Sequence, residues 1–407
     1  MASFRRLEID NWQQFRRVDI TFHRRATILT GANASGKTTI LNVLGRHAGW
    51  NVPSLAVPRP SAIGGLFRFF SRWKSVIAQG DSQIGTLTYD DKQKARLLVP
   101  DDNAPSYEVK LESQHNVRCL FLPSHRAVYR YQALDHIPAT RIGRDEAFEK
   151  VGSSTRDRFF GGGNYSPSYH MKRVLVSWSI FGRGNPDMTP DSELLSLYEG
   201  FQETLRHVLP ATLGFRRLAI RNMEIVVECE AGDFMMDGAS GGLSAVIDLA
   251  WQVFMFAPPD GDSFTVIIDE IENHLHPTMQ KRILSDFLAS FPGMQLVVST
   301  HSPLIVSSVR DSAVYALKYE TDRRVVSAQL DLVNQARTAT QILDEVLGVS
   351  STLPAWAEEE LGRIVDDFSR GPLSEARFAE LRKQVSAIGL GDYFPEALGR
   401  LLDARNS

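Results

Sequence analysis

GANASGKTT, Gly31 to Thr39, is the stretch from which the rest of the chain is read. It fits G-x-x-x-x-G-K-[ST] at Gly31, Gly36, Lys37 and Thr38. Glycines let a backbone curl around a phosphate chain with successive N–H groups pointing inward, and the helix that follows presents its positive end to the anion. Gly31, Asn33, Ala34, Ser35, Gly36, Lys37, Thr38 and Thr39 are therefore the candidate nucleotide contacts. Lys37 would reach the β- and γ-phosphates, and the Thr38 hydroxyl would ligate Mg²⁺. The flanks agree: ATILT, Ala26 to Thr30, reads as a buried strand, and TTILNVL, Thr38 to Leu44, as the start of an amphipathic helix.

A second set of residues completes such a site. From Asp237 the chain runs DGASGGLSAVIDLAWQVFMF, in which Ser240, Gly241 and Gly242 open a long apolar helix. A hydroxyl and free N–H groups at a helix N-terminus form an anion receptor. FTVII, Phe264 to Ile268, is a buried strand that ends in Asp269 and Glu270. An acid at that tip is the expected Mg²⁺ ligand, and its neighbour can polarise an attacking water. Met294 to Ser299 is another buried strand, and His301 beyond it can hydrogen-bond a γ-phosphate. His274 and His276 lie two apart, as metal ligands on a strand would, but Pro277 and the lack of a clear third ligand argue against that.

Upstream, Phe4 to Ile9 and Val18 to Phe22 read as a β-hairpin feeding the phosphate strand. LFRFFSRWKSVI, Leu66 to Ile77, has helical spacing: either an amphipathic helix covering the core or an aromatic and basic face for nucleic acid or a partner. Ile84 to Tyr89, Arg96 to Val99 and Tyr107 to Leu111 read as a meander, and VRCLFL, Val117 to Leu122, as a central strand. The polar loop from Pro123 to Gln132 then lies where an α/β sheet keeps its ligand. Residues from about Ile137 to Pro190 change character and read as an inserted, partly mobile lid. Its Gly161 to Gly163 lacks the Lys-Ser/Thr pair of a second phosphate loop. Thr189 and Pro190 are the expected cap and first position of a helix through His207. A hairpin follows over Phe215 to Ile220 and Met223 to Glu228, and Ala313 to Tyr319 and Val325 to Leu330 read as closing strands. Thr340 to Leu347, Ala355 to Phe368, Ser374 to Val385 and Pro395 to Leu402 read as tail helices.

The 407 residues allow two or three domains, and a formal net charge of −3 gives no global basic field. The longest apolar run, Val246 to Pro258, is too short for a bilayer, and Arg5, Arg6, Glu8 and Asp10 break any signal-peptide core. Cys119 and Cys229 are the only cysteines, which speaks for a cytoplasmic protein without a disulfide framework or a zinc hook.

On these motifs the chain resembles the ABC-type ATPases of the RecF, SMC and OLD branch, often grouped with AAA-like ATP-binding proteins. The expected fold is α/β: an ABC-ATPase head with an N-terminal antiparallel β-subdomain, a P-loop core sheet, a helical lid insertion and a short helical tail. The expected divisions are an N-terminal lobe with Walker A (1–136), the lid (137–210), a C-terminal lobe (211–332) and the tail (333–407). The resemblance implies that Gly31 to Thr39 is Walker A, Ser240 to Gly242 the signature, Asp269 the Walker B acid, Glu270 the catalytic base, Asn273 to Pro277 the D-loop and His301 the switch histidine. Leu243 stands where the signature often has Gln or Glu, and Ala239 replaces Leu. Ser124, His125 and Arg126 occupy the Q-loop strand end, with no glutamine before Gln132. The cofactors implied are ATP and Mg²⁺, held between two protomers in a homodimer or higher oligomer. The tail has no acidic cluster convincing enough for a TOPRIM nuclease, and the long heptad arms of SMC proteins are missing. The expected function is therefore that of an ATPase regulating a separate effector, a nuclease or toxin, like the stand-alone ATPases of Septu-type anti-phage defence. The other reading is a RecF-like clamp on DNA, motivated by Arg5, Arg6, Arg16, Arg17, Arg24 and Arg25. No membrane partner is expected, and the large insertion between Lys37 and Ser240 does not suit a transporter subunit.

Overall fold

Burial separates the strands into two kinds. β1 (Phe4–Trp12) and β2 (Phe15–Thr21) mix buried with exposed positions, whereas β3 (Ala26–Gly31) is buried throughout. After α1 (Lys37–Gly45) come β4 (Ser54–Leu55), β5 (Val57–Pro60), β6 (Phe67–Phe70), β7 (Ser82–Tyr89), β8 (Lys94–Val99), β9 (Ser106–Tyr107) and β10 (Lys110–Glu112). β11 (Cys119–Leu122) is again buried throughout. Helices α2 (Arg144–Phe159), α3 (Pro167–Arg183) and α4 (Ser192–Val208) precede a three-stranded sheet of β12 (Phe215–Arg221), β13 (Glu224–Cys229) and β14 (Phe234–Met235). Then follow α5 (Gly241–Phe256), β15 (Phe264–Ile268), α6 (Pro277–Gln280), α7 (Ile283–Ser290), β16 (Met294–Ser299), α8 (Pro303–Val306), β17 (Ala313–Tyr319) and β18 (Val325–Leu330). This is a computed structural model, and it describes residues 2–60, 67–70, 81–100, 104–126, 129–136, 138–159, 166–330, 355–369, 374–394, 397–399 and 401.

Among the described residues the main sheet has 11 strands in the order β10-β8-β7-β1-β2-β18-β17-β3-β16-β15-β11. β17, β3, β16, β15 and β11 run parallel, and their near-continuous apolar sequences are what strands covered on both faces need. β2, β1, β7, β8 and β10 form an antiparallel wing. Because β3, β16, β15 and β11 are neighbours in parallel register, Gly31, Ser299, Ile268 and Leu122 end side by side. The loops that follow them share the carboxyl edge of the sheet, the place where open α/β sheets bind ligands.

The wing packs on the single helical turn after α1, Arg46–Ala48, through Phe4, Tyr89 and His47. The His47 ring meets Phe4 edge-on at 5.0 Å between centroids. Its Nδ1 lies 3.0 Å from the Leu44 carbonyl and its Nε2 2.9 Å from the Tyr89 hydroxyl, two bonds that a neutral imidazole satisfies. Burial pushes His47 from 6.5 down to about 4. The unfolded chain therefore takes up a proton that the folded one refuses. Stability should fall as pH drops from 6.5 towards 4, by up to about 3 kcal/mol, and flatten below. Urea titrations across that range on the parent and a His47→Gln variant, which should lose the slope, check this.

Cys119 in β11 and Cys229 in β13 are free and buried, and burial pushes both thiols up. No described helix is long and apolar enough to cross a membrane. The chain divides into two compact units, Met1–Ile342 and Leu343–Ser407. In the second, α9 (Ala355–Ser369) and α10 (Glu375–Ala387) bury Leu361, Val365, Phe368, Leu381 and Val385. Ser374 caps α10 by accepting from the Arg377 N–H.

Three local expectations need correction. Phe67–Phe70 is not helical but a strand paired antiparallel with β5. A short aromatic run suits either element by pattern, and aromatic β-propensity decides here; Leu66 and 71–77 lie outside the described residues. The helix expected from Pro190 starts at Ser192, because Asp191 accepts hydrogen bonds from the N–H groups of Glu193 and Leu194 and displaces Thr189 as the cap. Val117 precedes β11 rather than joining it. The hairpin of β12 and β13 turns at Asn222 and Met223, both at positive φ, as a type I′ turn requires. The helix read over Thr340 to Leu347 lies outside the described residues, as does part of Pro395 to Leu402.

Candidate functional site

The loop between β3 and α1 needs its glycines for space as well as for φ. Gly36 sits at φ 96°, and a Cβ there would lie 2.4 Å from the Phe15 ring. At Gly31, φ 143°, it would lie 2.5 Å from the Leu317 carbonyl oxygen. The Lys37 Nζ donates to the carbonyls of Gly31 and Ala32, each at 3.0 Å, and so spans the mouth of the loop. Burial pushes this ammonium down to about 8, against the upward pull of Asp269, Glu270 and Glu272. The buried Ser35 hydroxyl has no hydrogen-bond partner among the described residues, and the exposed Tyr319 donates its hydroxyl to the Ala34 carbonyl.

β15 delivers Asp269 directly to this loop. Thr38 Oγ1 donates to Asp269 Oδ2 at 2.9 Å, and Ser299 at the end of β16 donates to Oδ1. Burial raises the Asp269 carboxyl, while those two hydroxyl groups act the other way. A hydroxyl and a carboxylate side by side at a phosphate loop form a hard oxygen donor set of the kind Mg²⁺ takes, with its remaining positions left to water and phosphate. Glu270 occupies φ 45°, its N–H donating to Ser299 Oγ and its Oε2 accepting from Asn273 Nδ2, both at 2.8 Å. The His301 N–H donates to Glu272, and burial, followed by the charge of Lys37, pushes its imidazole down. At neutral pH this ring is a neutral donor and acceptor beside the same carboxylates.

Among the described residues, Ser240, Gly241 and Gly242 make no side-chain hydrogen bond to this cluster. Ser240 is exposed at the N-terminus of α5, and its hydroxyl caps nothing there. Gly242 abuts the loop after β15: a Cβ on it would lie 2.9 Å from the His274 carbonyl oxygen. The signature stretch and the loop Asn273 to Pro277 are thus neighbours within one chain.

The contacts of two charged residues of this region were not foreseen. Arg126, placed at the Q-loop strand end just past β11, donates its guanidinium to carbonyls of the turn after β15. Lys172 of α3 is buried, with Asp237 at 2.6 Å, Glu224 at 2.9 Å and the Gln132 carbonyl at 2.6 Å. It ties the helical insertion to the turn that precedes Ser240. The insertion also packs on α5, with Trp178 stacked on Trp251 at 5.4 Å between centroids. Beside Thr39 a cavity of about 450 Å³ opens between Gln13, Gln14, Asn42, Arg46 and the segment Val52 to Leu55.

A phosphate loop on a central parallel strand, an acid on the next strand tip but one, and an antiparallel wing define an ABC-type ATPase head of the RecF, SMC and OLD branch. The chain belongs to the family described as "AAA domain, putative AbiEii toxin, Type IV TA system", which matches residues 26–307; the P-loop containing region of AAA domain matches residues 4–45. It is similar to the Septu protein PtuA of Bacillus thuringiensis, 29% identical over 119 residues, 28% of this chain and 30% of that protein. It is similar to the Retron Vc95 probable ATPase of Vibrio cholerae, 34% identical over 76 residues, 18% of this chain and 15% of that protein. The OLD nuclease of Thermus scotoductus is 24% identical over 348 residues, 79% of this chain and 63% of that protein. The chain spans less than a third of the length of the first two of these relatives.

Proposed function

We propose that the chain binds and hydrolyses ATP between two copies of itself and so switches a separate effector, a nuclease or toxin, in bacterial anti-phage defence. The observation that carries the two-copy reading is the exposed N-terminus of α5, where Ser240 and Gly241 face outward and the Ser240 hydroxyl is not used as a cap. A second protomer's γ-phosphate fits it. The defence reading draws on the likeness to the Septu and retron proteins. The cavity beside Thr39 has room for the nucleoside.

On this reading Lys37 turns from the Gly31 and Ala32 carbonyls to the phosphates, and Thr38 and Asp269 hold Mg²⁺. The ion would neutralise charge on the β- and γ-phosphate oxygens. Glu270, its carboxylate held by Asn273, takes a proton from the water that attacks the γ-phosphorus, and ADP leaves. His301, neutral, donates a hydrogen bond to the γ-phosphate. Loss of that phosphate removes the contact with Ser240 of the other copy and lets the two separate.

Lys37→Ala should weaken ATP binding at least about 30-fold, since it leaves the phosphates without their buried cation; titration calorimetry checks it. For the whole proposal, the protein is captured from its native host with ATP and Mg²⁺, and bound proteins and nucleic acid are identified. A stoichiometric nuclease or toxin supports it. Nucleic acid alone would favour the DNA clamp. The arginines that motivated the clamp are partly committed elsewhere: Arg6 pairs with Asp19 and Glu8, Arg16 with Glu320, and Arg25 with the carbonyls of Leu288 and Pro292.

A further inference from the structure

The turn from Asp269 to Asn273 points its carbonyl groups at a single side chain. Arg126 Nη1 donates to the carbonyls of Ile271 at 3.3 Å and Asn273 at 3.1 Å, and Nη2 to that of Glu270 at 3.1 Å, with the Asp269 carbonyl at 3.5 Å. The Glu270 carbonyl also accepts from the Asn273 N–H within the turn at 3.1 Å, and Arg126 adds donors that come from outside it. Glu270 also sits at φ 45°, a conformation that an L-residue keeps only when its surroundings hold it. They hold it at each polar group. Ser299 takes the N–H, Arg126 the carbonyl and Asn273 the carboxylate. Asn273 Nδ2 donates in addition to the carbonyl of Ser124, so both Ser124 and Arg126 grip the turn from the end of β11.

From this geometry we infer that Arg126 is a positioning residue for Glu270: its fork fixes the backbone from which the carboxylate reaches the attacking water. The inference rests on the reading of Glu270 as the base. A planar guanidinium presents several donors in one fixed plane, which an ammonium on a flexible stem does not. Burial pushes the guanidinium down to about 10, and Asp248, Glu272, Asp269 and Glu270 act the other way, so it stays charged at neutral pH.

The test places Arg126→Ala and Arg126→Lys in both the parent chain and a Glu270→Gln chain, and measures ATP turnover together with ATP affinity by calorimetry. In the parent, Arg126→Ala should lower kcat by about 10- to 100-fold, the scale of a slightly misplaced catalytic group, and change the ATP Kd by less than about threefold. Arg126→Lys should recover part of the loss. In the Glu270→Gln chain neither substitution should lower the residual rate further. Equal losses in kcat and affinity, further loss in the Glu270→Gln chain, or unaltered turnover would each overturn the inference. Full turnover by Glu270→Gln alone would instead remove the underlying reading of the base, so the two failures are told apart. Should Arg126→Ala not fold, Arg126→Lys and Asn273→Ala carry the same comparison, since Asn273→Ala removes another hold on the same residue.

Discussion

Glu270→Gln is expected to lower ATP turnover by about 10²- to 10⁴-fold, the range that general base catalysis contributes, and to leave ATP binding intact. The substitution is nearly isosteric. Asn273 Nδ2 still finds an amide oxygen where it now finds Oε2, the Arg126 fork acts on the backbone and is untouched, and Thr38 still pairs with Asp269. What disappears is the carboxylate's capacity to take a proton. Removing its charge also removes one of the groups that oppose an incoming triphosphate, so affinity should stay level or rise. Steady-state hydrolysis, set against calorimetric affinity, checks both halves, and size-exclusion chromatography with ATP should show the two-copy state accumulating. Turnover at the parent rate would rule out Glu270 as the base.

Lys172→Met is expected to carry a large stability cost. The Lys172 ammonium is surrounded by Asp237, Glu224 and the Gln132 carbonyl, and lies 5.2 Å from the centroid of the Tyr131 ring. Burial lowers its proton affinity, but the hydrogen bonds to the two carboxylates outweigh this and raise it. Methionine fills similar volume and supplies no charge, leaving a buried Asp237 and a mostly buried Glu224 close together without their cation. Breaking a buried pair in this sense costs about 3–5 kcal/mol, more than the pair itself is worth. Urea unfolding measures it. Adding Asp237→Asn to Lys172→Met should recover much of the loss, because the cost lies in the orphaned charge. A loss below about 1 kcal/mol would mean that the carboxylates are hydrated or protonated and that the cluster is not a structural tie.

The two predictions draw on residues that the sequence revealed unequally. β3, β15 and β16 were legible because each is a mostly apolar run with the motif residues at or just beyond its end: Gly31, Asp269 and Glu270, and His301. Their adjacency in the sheet then joins Thr38 to Asp269. Lys172 was illegible for a physical reason. Its partners Glu224 and Asp237 lie on other elements far along the chain, and a lysine on an amphipathic helix looks the same whether its amine meets water or two carboxylates. Arg126 had the same difficulty, since it recognises backbone carbonyls, which every residue has. The helical spacing read over Leu66 to Ile77 failed differently: at Phe67–Phe70 strand pairing with β5 overrides the period of 3.6.

The thiols of Cys119 and Cys229 are buried, and their raised proton affinity keeps them from becoming the reactive thiolate. Chemically silent in the closed fold, they become reporters once it opens. Cys119 lies on β11, a few residues before Arg126, and Cys229 lies at the opposite end of β13 from Glu224. The unaltered chain therefore contains two native clocks, one in each of two sheets, and the rate at which an alkylating reagent finds each cysteine times the local openings that hydrolysis assays do not see.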